Sequence, residues 1–132
     1  MKRNHKTLVE VWVERADDDL AFAKAGFQDG FYNQVCILCQ QAVEKYLKAY
    51  LIHAKGSIEI TEKIHDLAKL ADICKMYGMD MSRKYVSLRT LSEFYIPARY
   101  PDMFFDTFEQ KDAEEALSMA EEILADIRKV LF

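Results

Sequence analysis

A chain of 132 residues, 51% of them hydrophobic, is long enough to bury one substantial core, and a single domain spanning residues 1–132 is expected. Its 18 basic and 22 acidic side chains leave a formal charge of -4 spread along the whole length. No global basic field is therefore present to hold a polyanion, DNA is not an expected ligand, and any phosphate site must be local. No apolar run approaches the roughly 18 residues of a membrane span, and Met1 to Lys6 is basic without an apolar stretch behind it. A soluble, cytoplasmic protein with no membrane association is the expectation.

In chain order, Leu8, Trp12, Ala16, Leu20, Ala23 and Phe27 recur at steps of three or four. That spacing predicts a helix over about residues 7 to 27, closed by Gly26 and Gly30. From about Phe31 to Ala54 the pattern is apolar around most of a helix, with Val35, Leu38, Cys39, Ala42, Val43, Tyr46, Leu47, Tyr50 and Leu51, which marks a central helix. After the Gly56-Ser57 turn, Thr61 is the expected N-cap of a third helix with the stripe Ile64, Leu67, Ala71 and Cys74, ending at Gly78. Ser82 is the expected cap of a fourth, which carries Met81, Tyr85, Leu88, Leu91 and Tyr95 toward the core and stops near Tyr95 because of Pro97. The last helix, about Asp112 to Leu131, turns Ala113, Ala116, Ala120, Ile123, Ile127 and Val130 inward and Glu114, Glu115, Glu121 and Glu122 outward. No segment sustains a period of two. The fold class is accordingly all-α, an up-and-down bundle of about five helices.

Cys36 and Cys39 have the Cys-x-x-Cys spacing that suits a metal or a redox pair, but they lie in the apolar middle of the second helix. With Cys74 they read as reduced, buried thiols acting as small hydrophobes, and no metal site is expected. Three polar features are harder to assign to packing. "FYIPARYPDMFFD", residues 94–106, holds both prolines of the chain around Arg99, with Tyr95 and Tyr100 beside it. It reads as a stiff loop whose guanidinium suits phosphate or carboxylate and whose rings suit a base; the other reading is a packed loop with Arg99 paired to Asp102 or Asp106. "QQAVEKYLKA", residues 40–49, sets Gln40, Gln41 and Lys45 on an otherwise apolar helix, with Glu44 and Lys48 spaced for a solvated ion pair. His65-Asp66 falls in the predicted first turn of the third helix, where Asp66 suits the dipole.

These three pieces, together with "ADDDLA" at residues 16–21 and the closing Ala-rich helix, resemble in order and spacing the HEPN domain, a small helical domain of higher eukaryotes and prokaryotes linked to nucleotide binding. The resemblance covers nearly the whole chain. It implies a homodimer that works beside a small nucleotidyltransferase. It also implies a nucleotide site, carried here onto Lys45, Lys48, His65, Asp66, Tyr95, Arg99 and Tyr100, with no cofactor required. Many HEPN proteins are metal-independent ribonucleases that use an arginine followed four to six residues later by a histidine. The histidines here are His5, His53 and His65, and none stands at that distance after an arginine. The resemblance thus points first to a noncatalytic nucleotide-binding or regulatory module with no catalytic residue, the alternative being a ribonuclease toxin of a two-component toxin–antitoxin module.

Overall fold

The first, third and last helices each begin where a side chain takes over an unpaired backbone amide. Thr7 accepts from the Glu10 amide at 3.2 Å and opens α1, Leu8–Gln28. The computed structural model describes residues 6–57, 63–99 and 108–132, and within 95–99 the backbone alone. Gly30, at φ 82°, reverses the chain after α1, and the Phe31 amide closes the turn on the Gly26 carbonyl at 2.9 Å. The central helix α2, Tyr32–Lys55, follows, and left-handed Gly56 ends it. The remaining elements are α3, Leu67–Met76; a single 3-10 turn, Ser82–Lys84; α4, Tyr85–Arg99; and α5, Gln110–Leu131. The described residues contain five helices and no strand, and the fold is all-α.

The predicted centrality of α2 follows from its buried face, which runs from Val35 to Ile52 and includes Tyr46, Leu47 and Leu51. It packs against α1, α3, α4 and α5. α5 closes the opposite side with Ala113, Ala116, Ala120, Ile123 and Ile127 buried; its N-terminus is held by a reciprocal Glu109–Asp112 capping box. Ahead of that box the Phe108 amide donates to Asn33 Oδ1 at 2.8 Å, and the Phe108 ring meets Phe94 edge-on at 5.0 Å. The start of α5 is thereby tied to both α2 and α4.

Several local expectations are corrected. α3 begins at Leu67, capped by Asp66, whose carboxylate accepts from the Lys69 amide at 3.2 Å. Ile64 therefore reaches the core from the segment before the helix, and Thr61 lies outside the described residues. Ser82 opens a 3-10 turn held by Asp80, which accepts its amide at 2.8 Å, and α4 proper starts at Tyr85. Tyr85, expected inside, is 42% exposed, as is Val130 at 52% and Leu8 at 56%, because helix ends outrun the neighbour they pack on. α4 does not stop at Tyr95; it continues through Pro97 to Arg99. A proline removes one amide donor, and so near the end of an already propagated helix the loss is a single last-turn hydrogen bond. Tyr95 and Arg99 are consequently helix positions rather than loop positions, while Tyr100, Asp102 and Asp106 lie outside the described residues.

Candidate functional site

Gln40, Glu44 and Lys48 stand at successive four-residue steps and so form one polar line along α2. A helix this apolar buries most of what it carries: Gln40 is 0% and Lys48 2% exposed. The Glu44–Lys48 pair, at 3.0 Å, thus joins a buried ammonium to a partly buried carboxylate and is not the solvated pair its spacing suggested. The segment leading to α3 crosses this line and brings His65 onto it.

The Glu44 carboxylate is the hub. Its Oε2 accepts from Lys48 Nζ at 3.0 Å, and its Oε1 meets Gln40 Nε2 at 3.2 Å and His65 Nδ1 at 3.0 Å. Gln40 Nε2 donates a second time, to the backbone carbonyl of His65 at 3.0 Å. A carboxylate only accepts, so in this arrangement Nδ1 carries a proton and, in the neutral ring, Nε2 carries the lone pair. The His65 side chain is half exposed. An imidazole held at one nitrogen by a partly buried carboxylate is the arrangement that orients a general base.

Asp66, the expected carboxylate neighbour of His65, serves instead as the cap of α3. The adjoining Leu67 amide donates to Ser92 Oγ at 2.7 Å, which fastens the start of α3 to α4. Beside this junction lies an open groove of about 470 Å³ lined by Asp66, Ala68, Tyr85, Arg89, Ser92 and Glu93. Lys48, His65 and Asp66 are therefore brought to one region. Lys45 is turned to α1, where its ammonium pairs with Asp19. The side chains of Tyr95, Arg99 and Tyr100 lie outside the described residues.

Sequence reasoning treated Glu44 as a surface charge and so missed the hub. The available signal was the Gln40, Glu44, Lys48 line itself, because three polar groups on one line of a central helix need a shared partner. A second polar junction was also missed. Tyr46 Oη donates to Asp17 Oδ1 at 2.6 Å and accepts from Arg128 Nη1 at 3.2 Å, which joins α1, α2 and α5. Burial, foremost, and the hydrogen bond to Asp17 push the Tyr46 phenol up to about 12.

All three thiols are buried. Burial raises Cys36 and Cys74 to about 12 and moves Cys39 in the same direction. Among the described residues no three His, Cys, Asp or Glu side chains are grouped to share a metal ion.

A five-helix bundle with a carboxylate-held histidine between its second and third helices defines the class. The chain matches the HEPN domain over residues 9–130, and it belongs to that family. It is 28% identical over 137 positions to a Methanocaldococcus jannaschii protein named "Putative toxin MJ1304", a match that covers 92% of this chain and 87% of that one. Among solved structures, TT1696 from Thermus thermophilus superposes with a TM-score of 0.75 at 27% identity, over 92% of this chain and 96% of that one. ST0689, described as an archaeal HEPN homologue, gives 0.73 at 27% identity over the whole of both chains. No helix among the described residues is long and apolar enough to cross a membrane.

Proposed function

We propose that the chain is a toxin-type HEPN protein that cleaves RNA, the role first suggested as the alternative by the family resemblance. The observation that carries this reading is the Glu44–His65 contact: a partly buried carboxylate fixes one nitrogen of a half-exposed imidazole. In this reading Nε2 of His65 takes the proton of a ribose 2′-hydroxyl. The 2′-oxygen then bonds to phosphorus as the bond to the 5′-oxygen breaks, which leaves a 2′,3′-cyclic phosphate and a 5′-hydroxyl that receives a proton. Arg89, in the adjoining groove, supplies a cation for the phosphate oxygens. Lys48 is too deep for that task and acts by holding Glu44. The toxin name of the methanogen relative supports the reading.

A second reading, nucleotide binding without cleavage, is favoured by one observation: no histidine stands four to six residues after an arginine. It draws on the same region, with Lys48, His65 and Asp66 and with Arg99 for the phosphate. Incubation of the purified protein with a mixed RNA pool in chelator separates the two. Cleavage that disappears in His65→Ala and falls about 10-fold or more in Glu44→Gln supports the first reading. Intact RNA together with saturable binding of a nucleoside phosphate supports the second and overturns the first. The same proposal includes a homodimer and a nucleotidyltransferase partner. The exposed rings Phe22, Phe31 and Phe132 support an interface, and a monomer mass by light scattering at micromolar concentration would refute the dimer.

A further inference from the structure

Gln40 is a fully buried polar side chain of α2, and its amide is used unevenly. Nε2 makes two hydrogen bonds, to Glu44 Oε1 at 3.2 Å and to the His65 carbonyl at 3.0 Å. Oε1 is buried with no hydrogen-bond partner among the described residues. Rotating the amide by half a turn does not relieve this. Both groups facing Nε2 are acceptors, so the exchange would set oxygen against oxygen twice. The orientation of the amide is therefore determined, with Oε1 turned away from both acceptors. A buried acceptor without a donor is destabilising and offsets part of what the two hydrogen bonds of Nε2 contribute to stability.

We infer that Gln40 is a positioning residue, which uses both amide hydrogens to set His65 against Glu44. One hydrogen bond aims the carboxylate oxygen that His65 Nδ1 meets. The other holds the backbone of the same histidine, so the ring and its carboxylate are referred to a single point on α2. Glu44 is thus fixed from two directions, by Gln40 on Oε1 and by Lys48 on Oε2. The function served is the tautomer of His65, with the proton on Nδ1 and the lone pair on Nε2. This inference rests on the proposed role of His65 as a base only for its purpose; the geometry and its test stand without it.

Gln40→Met keeps the length and apolar volume of the side chain and removes both donors along with the Oε1 acceptor. The readouts are the ring-nitrogen resonances of His65, recorded by long-range proton–nitrogen correlation at a pH where the ring is neutral, and the melting temperature. The expected result is a His65 ring locked as the Nδ1–H tautomer in the parent and a mixture of both tautomers in Gln40→Met, with a melting temperature at most a few degrees below that of the parent. A His65 ring that stays locked overturns the inference whatever the melting temperature does. Loss of the lock together with a large fall in melting temperature also overturns it, in favour of a purely structural strut. Gln40→Leu serves as the second variant if Met is not accommodated. Failure of the parent to cleave RNA would remove the proposed activity and leave the tautomer result to decide the role of Gln40.

Discussion

Glu44 does at one residue what three separate partners would otherwise require, since Gln40, Lys48 and His65 all meet its carboxylate. Removing the carboxylate from such a hub takes an acceptor from several donors at once, among them the buried Lys48, and Glu44→Leu is expected to lower stability by about 3 kcal/mol. Urea denaturation with an unchanged slope would show it as a shift in midpoint. The thiols act in the opposite sense, by staying neutral. Cys36 and Cys74 move from an ordinary value of 9.0 to about 12 because ionisation inside the bundle would leave a thiolate without water. Folding therefore favours the protonated form. That contribution is fully present below pH 9 and is lost as pH climbs from about 9 through about 12. The melting temperature is expected to fall over that window in the parent and to fall less in Cys36→Ala. A thiol-specific disulfide reagent at neutral pH is expected to react only as fast as the protein opens.

At the scale of the element, α3 depends strongly on the residue that caps it. It is only 10 residues long, and Asp66 takes the Lys69 amide that no intrahelical carbonyl can reach. Asp66→Ala is expected to cost about 1 kcal/mol, whereas Asp66→Asn, which keeps the cap, costs a few tenths. Amide hydrogen exchange is the discriminating measurement, because the loss concentrates in Leu67 to Leu70 before it reaches the global stability. The consequence is functional as well as structural. Asp66 and the Leu67–Ser92 bond place the segment that presents His65, so a frayed α3 is expected to loosen the Glu44 contact.

For the whole molecule, the Asp17–Tyr46–Arg128 junction fastens three helices whose residues are far apart in the chain. Its outer ion pair is half exposed and contributes little by itself. The buried phenol that bridges it is the stronger link, and Tyr46→Phe is expected to cost about 1.5 kcal/mol of global stability. Circular dichroism is expected to remain that of the parent, since no helix loses its own hydrogen bonds. A change in helical content would show that the junction builds α1 rather than joining it to its neighbours.

Helix positions, the central place of α2 and the buried thiols were legible in the sequence, because a helix repeats every 3.6 residues and burial writes that period into apolar spacing. The stripe in α5 from Ala113 to Ile127 is buried as its spacing indicates. Boundaries were less legible: Asp66 rather than Thr61 caps α3, and α4 passes through Pro97, since caps and single lost hydrogen bonds are small terms that tertiary packing overrides. Only the tertiary structure decided which carboxylate meets His65. Asp66 adjoins it in sequence, but its carboxylate is turned to the Lys69 amide as the cap of α3. Glu44, 21 residues away, reaches it because α2 and the segment before α3 lie side by side in a particular register. Periodicity is a property of one helix and can be read along it, whereas that register arises from how separate segments fit together.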